Sequence, residues 1–153
     1  MKVKITNKSF NKGLVKGVVR ALRPSGISNF NVEVKNGRWC RGRYCYYKSF
    51  QKGHDIFGRA PKVVATINPK QSFPLRWHPK AKKGYLPIIT YSLNETLVYI
   101  LAHELRHAWQ AKVKKGHRVW GARGQFSERD ADAYALHMLR KYRRGELKLS
   151  AGS

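Results

Sequence analysis

Carboxylates are the scarcest feature of this sequence: eight Asp and Glu stand against 32 Lys and Arg in 153 residues, a formal net charge of +24. The charged fraction, 26%, is ordinary, so the basicity reflects missing acids more than surplus cations. Cysteine is scarce as well. Cys40 and Cys45 are too few for a disulfide framework and lack the second pair of a four-cysteine zinc site. Their odd separation puts them on opposite faces of a continuous strand, as packing thiols. A reducing, cytoplasmic setting is expected. No apolar run of about 18 residues exists, so no membrane-spanning helix is expected, and residues 1–17 lack the continuous apolar stretch of a secretory signal. What is present, 42% apolar and 12% aromatic residues, suffices for a core, and the length suits one domain over 1–153.

The few acids are unevenly placed. Residues 1–94 carry 20 Lys and Arg but only Glu33 and Asp55, whereas residues 95–153 carry 12 Lys and Arg with Glu95, Glu104, Glu128, Asp130, Asp132 and Glu146. The chain therefore divides into a basic helix-and-sheet part (1–91), a part whose helices hold the clustered acids (92–142), and a basic tail (143–153).

Leu14, Val15, Val18, Val19 and Leu22 share one helical face, with Lys12, Lys16 and Arg20 on another, and Pro24, Ser25 and Gly26 stop that helix. Phe30, Val32 and Val34 alternate as a strand, and Asn36-Gly37 predicts a tight turn into a return strand over 38–47. Residues 62–68 (KVVATIN) read as a strand, either in the core or as a sheet edge open to an extended peptide. Residues 85–91 read as a weaker strand because of Pro87, and 69–84 as a long basic loop. Ser92 and Glu95 form a capping box, so a helix should begin at Leu93 and run to Val113, with Gly116 ending it. Its first turns are apolar on most sides, as in a helix buried between layers. Ser127 is expected to cap a last helix from Glu128 to about Tyr142, packed through Ala131, Tyr134, Ala135, Met138 and Leu139. The expected class is α+β, with a twisted, mostly antiparallel sheet.

Within the buried helix, His103-Glu104-Leu105-Arg106-His107 is an HExxH motif. Residues four apart share a face, so both imidazoles can reach one metal ion with Glu104 beside them. An apolar helix carrying these polar groups inward also needs partners for them. A catalytic zinc commonly has three protein ligands and one open position. Glu128 is the candidate third ligand, with Asp132 one turn later placed to accept a hydrogen bond from a ligating histidine. Acids in a first helical turn also complement the helix dipole without any metal.

HELRH followed by SERDADAYA resembles the gluzincin branch of the zincin metallopeptidases, over about residues 92–140. The resemblance implies a small zincin-like fold, one Zn2+ on His103, His107 and Glu128, Glu104 as general base, and Asp132 orienting a histidine. The SprT-like proteases, which act on proteins bound to DNA, are a weaker resemblance. Their third ligand is a histidine, for which His117 is the candidate, and their C-terminal zinc ribbon has no counterpart here. His117 and Tyr134 are also candidates for donating to an oxyanion. His54, His78 and His137 have no matching partners and read as surface residues.

These readings lead to a zinc metalloendopeptidase acting on protein or peptide substrates. Another class is a basic nucleic-acid-binding or particle-associated protein on the same scaffold without protease activity. The two combine if the charge recruits a peptidase to nucleic acid or another polyanion. The aromatics of RWCRGRYCYY, interleaved with Arg38, Arg41 and Arg43, would suit base stacking, though any half-exposed strand has the same alternation.

Overall fold

The computed structural model describes residues 1–27, 30–45, 62–78, 84–113, 125–147 and 149. Along the chain lie β1 (Val3–Ile5), α1 (Lys12–Leu22), β2 (Asn31–Asn36), β3 (Arg41–Cys45), β4 (Lys62–Ile67), β5 (Leu75–Trp77), β6 (Ile88–Thr90), α2 (Leu93–Val113) and α3 (Gln125–Arg143). The class is α+β, as the sequence predicts. No helix among the described residues is long and apolar enough to cross a membrane.

β1, α1 and β2 form a parallel crossover unit, with Val3 opposite Val32. Asn11 caps α1 by accepting the Leu14 N–H at 2.7 Å, and Val15, Val18, Val19 and Leu22 on its apolar face are buried. Gly26, at φ 93°, turns the chain away after the helix, a conformation open mainly to glycine.

The main sheet has the order β1-β2-β4-β3. β2 and β4 run parallel, with Val32 opposite Val63, whereas β3 runs antiparallel to β4, with Gly42 opposite Ala65. Two sequence expectations are corrected here. The sheet is mixed rather than mostly antiparallel, and β2 and β3 are not a hairpin, because β4 lies between them. Gly37 does not take the positive φ of a tight turn. A Cβ there would lie 2.1 Å from Thr66 Cγ2, so this glycine is required by close packing against β4. β4 itself is interior. Val63, Ala65 and Ile67 are fully buried on one face, and Val64 and Thr66 are buried on the other, as befits a near-continuous apolar run covered on both sides. The open-edge reading of 62–68 is therefore replaced by β3, the strand at the end of the order.

β5 and β6 form a separate antiparallel pair, with Trp77 opposite Ile88. β5 falls in the stretch expected to be a loop, and Pro87 lies just before β6 rather than inside it. The Trp77 indole donates to Thr90 Oγ1 at 3.1 Å, and Thr90 shares a 3.0 Å hydrogen bond with Thr96, so this small sheet is tied to the first turn of α2.

The Ser92 cap forms as predicted, while the Glu95 carboxylate reaches one residue further back than in a standard capping box. Ser92 Oγ accepts the Glu95 N–H at 3.1 Å, and Glu95 Oε1 reaches back to the Tyr91 N–H at 3.2 Å. Leu97, Leu101, Ala102 and Leu105 are fully buried because α2 packs on β3, β4 and α1 as well as on α3. The last helix begins at Gln125, before the expected cap, so Ser127 lies inside α3 with its carbonyl accepting from Gln110 Nε2 at 2.8 Å. Ala131, Ala135 and Leu139 form its buried stripe, with Tyr134 and Met138 partly buried beside them. The expected helix stop at Gly116 and the C-terminal tail beyond 149 lie outside the described residues.

Candidate metal centre

α2 presents His103 and His107 one turn apart, and α3 brings Glu128 against both. The three form a group whose ligand atoms lie within 4.8 Å of one another, a group that could hold a metal ion. His103 Nε2 and His107 Nε2 are 3.0 Å apart, and Glu128 Oε2 and Oε1 lie 3.2 and 3.3 Å from them, respectively. A tetrahedral ion with bonds of about 2.0–2.1 Å separates neighbouring donors by about 3.3 Å, so the cradle has the size such an ion needs.

The outer nitrogens of both rings are held by acceptors. Asp132 Oδ1 lies 2.7 Å from His103 Nδ1, and Gln110 Oε1 lies 2.8 Å from His107 Nδ1. Gln110 Nε2 donates to the Ser127 carbonyl and to Asp130 Oδ2 at 2.9 Å, which orients the amide with its oxygen toward His107. This network assigns the ring protons to the Nδ1 atoms, leaving two Nε2 lone pairs facing each other. Glu128 Oε2 completes the set as a buried oxygen with no hydrogen-bond partner among the described residues. Positive charge at its centre stabilises such an arrangement, because unpaired buried lone pairs cost free energy.

The protonation tendencies express the same demand. Burial opposes charge on His103, but the hydrogen bond to Asp132 and the nearby carboxylates of Glu128 and Glu104 outweigh it and push the imidazole up to about 10. Burial likewise disfavours the Glu128 carboxylate, yet the two imidazoles hold it well below the usual range. A proton on His103 and a bound cation are thus alternative ways to neutralise the same point.

Asp132 is fully buried and uses both oxygens. Besides His103, Oδ1 accepts the Tyr99 hydroxyl at 2.8 Å, and Oδ2 accepts the Leu86 N–H at 2.8 Å. Burial and then Asp132 push the Tyr99 phenol far above its ordinary value, so it remains a donor. Asp130 takes a different role from its neighbours: Arg106 binds it through Nε at 2.7 Å and Nη2 at 3.1 Å, clamping α2 to α3. The Arg106 guanidinium also lies 3.7 Å from the Trp109 ring centroid.

Glu104 is buried, with Oε1 3.8 Å from His103 Nε2. It lies against the backbone of β3: a Cβ on Gly42 would come within 2.7 Å of Glu104 Cγ and Oε1 and 2.8 Å of Ile100 Cγ2. Glycine at 42 therefore keeps the carboxylate and the edge strand in contact.

The structure brings His103, Glu104, His107, Glu128 and Asp132 together as the sequence predicts. Tyr134 is placed elsewhere. Its hydroxyl donates to the Leu22 carbonyl, which joins α3 to α1, so the oxyanion role expected of it is withdrawn. His117 and His54 lie outside the described residues, as does the side chain of Cys45. Cys40 is partly buried, accepts the Asn68 N–H and donates to Gln71 Oε1, both at 3.4 Å. Trp39, 70% exposed, lies before β3 with Arg38 5.4 Å from its ring centroid.

Sequence reasoning missed Gln110, Tyr99, Tyr85 and His78. Gln110 carried a usable signal, since it falls three residues after His107 on the same helical face. His78 and Tyr85 carried none, because tertiary folding alone brings them in. The Tyr85 ring stacks at 16° to His103, with centroids 6.3 Å apart, and His78 stacks on Tyr85 at 4.0 Å. His78 is half-buried, not a surface residue, and takes φ 49°, an uncommon conformation for a side-chain-bearing residue. Burial, followed by the charge and hydrogen bond of Glu128, pushes the Tyr85 phenol up to about 12, so it stays protonated. Comparison of the chain with protein-family models, with curated proteins and with solved structures gives no match.

Proposed function

We propose that this protein is a zinc-dependent metalloendopeptidase, in line with the gluzincin resemblance of its two site helices. The observation that carries the reading is the convergence of His103 Nε2, His107 Nε2 and the partnerless Glu128 Oε2, with the Glu104 carboxylate beside them. Two imidazoles and a carboxylate at tetrahedral spacing favour zinc over calcium or magnesium, which prefer oxygen ligands. His103, His107 and Glu128 would hold the ion, which when bound supplies Lewis acidity for the scissile carbonyl and for a water molecule.

Glu104 is the general base. Its carboxylate takes a proton from the attacking water and passes it to the departing amine nitrogen, so the base is regenerated as the C–N bond breaks. The protonated Tyr85 phenol, beside His103 and Glu128, is the hydrogen-bond donor for the oxyanion. β3 serves as the peptide platform. Among the described residues no strand pairs with its outer edge, and Gly42 sets its backbone against Glu104, so an extended peptide adding to this edge passes next to the base.

The test is Glu104→Gln in zinc-loaded protein, assayed against an unstructured protein and a peptide library with metal content measured in parallel. Hydrolysis should fall at least about a thousandfold while bound zinc stays near one per chain. Equal cleavage by the variant, or no cleavage by the zinc-loaded parent, overturns the reading.

A further inference from the structure

The site uses α2, α3 and one edge of the main sheet; the opposite edge has its own chemistry. Residues 1–32 contain seven Lys and Arg and no Asp or Glu. Lys4, Lys8 and Lys12 line a concavity of about 510 Å³ between β1 and the start of α1. Lys16, Arg20 and Arg23 line a second, of about 330 Å³, farther along the helix. On α1, Lys12, Lys16 and Arg20 follow one another at four-residue spacing, about 6 Å per step along the axis. Glu33 on the neighbouring β2 is engaged by Lys62 at 2.9 Å, so it leaves the face cationic.

We propose that the β1–α1 face is a nucleic-acid-binding surface that contacts the phosphate backbone without reading sequence. A row of cations along a surface whose neighbouring carboxylate, Glu33, lies opposite Lys4 and is held by Lys62 is sufficient for that task, because backbone binding is driven by phosphate neutralisation and counterion release. Other polyanionic surfaces fit less well. An interfacial helix needs its apolar face for the bilayer, whereas Val15, Val18, Val19 and Leu22 are already buried in the core. A protein partner needs desolvated apolar anchors, and of the large exposed hydrophobics among the described residues only Met1 belongs to this segment.

β1 and β3 are the two ends of a four-stranded order, about 14 Å apart at ordinary strand spacing, so binding at one edge leaves the other accessible. The proposal stands independently of the peptidase reading.

The test measures anisotropy of a fluorescein-labelled duplex DNA, and of its single strand, from about 50 to 200 mM salt. Lys8→Gln, Lys12→Gln and Lys16→Gln are combined in one full-length variant. A control variant of equal charge combines Lys70→Gln, Arg76→Gln and Arg140→Gln, all exposed and outside β1 and α1. The first variant should lose at least about tenfold in affinity at low salt, and its log–log salt slope should become shallower by about 2.7. The control should keep most of its affinity. Thermal melts establish that both are folded, and single substitutions replace any triple that is not. Equal losses in both variants, absence of binding at low salt, or binding to phosphatidylserine vesicles in preference to DNA each overturn the proposal.

Discussion

The imidazoles of His103 and His107 face each other through atoms that the surrounding acceptors leave open to a proton or a cation, which makes those acceptors as consequential as the ligands. Asp132 Oδ2 already receives the Leu86 N–H, and Oδ1 receives both His103 Nδ1 and the Tyr99 hydroxyl. Asp132→Asn replaces one of these oxygens with a donor, setting N–H against N–H or freeing the ring to change tautomer. Zinc affinity measured against a chelating dye should fall about 10–100-fold. An unchanged affinity would mean that Asp132 holds the Leu86 loop and not the histidine. The pairing of Asp132 with a histidine was legible in the sequence because both lie on helices whose spacing is known in advance. The Gln110 contact was overlooked because an amide is not itself a metal ligand.

At the level of elements, the site depends on two contacts of α2. Toward α3, Arg106 and Gln110 share Asp130, fixing the helix that carries Glu128 relative to the helix that carries the histidines. Toward the sheet, Gly42 lets β3 approach Glu104. Gly42→Ala should force Glu104 or Ile100 to shift, since each would stand inside 3.0 Å of the new methyl group. A displacement of the base by a few tenths of an ångström up to about 1 Å should lower kcat up to about 100-fold. Zinc content should remain unchanged, because the atoms nearest that methyl belong to Glu104 and Ile100 and not to His103, His107 or Glu128. Parental kcat in this variant would mean that β3 does not constrain the base. The helices were readable because their signals are local: Ser92 and Glu95 mark one start, and the apolar stripes follow the helical repeat. The sheet order was not, because Asn36-Gly37 carries the same letters whether glycine serves a turn or, as here, a close approach to Thr66.

For the whole molecule, the metal centre and the hydrophobic core are adjoining parts of one structure, since α2 belongs to both. Zinc bound only by the folded state should therefore stabilise it. At free zinc about 1,000-fold above Kd the linkage is about 4 kcal/mol, or roughly 10 °C in Tm for a chain of this size. Calorimetry with chelator and then with excess zinc checks this, and coincident melts would argue against a folded-state site. The order of the strands has a separate consequence for how the molecule forms. β4 is the last of the four main-sheet strands to be synthesised, yet it is the partner that both β2 and β3 require. β1, α1 and β2 can assemble as a local unit, whereas β3 must wait for residues 62–67 to arrive. The wall that supports Glu104 is thus a product of late, non-local pairing, and the basic edge can be in place while that side of the cleft has yet to close.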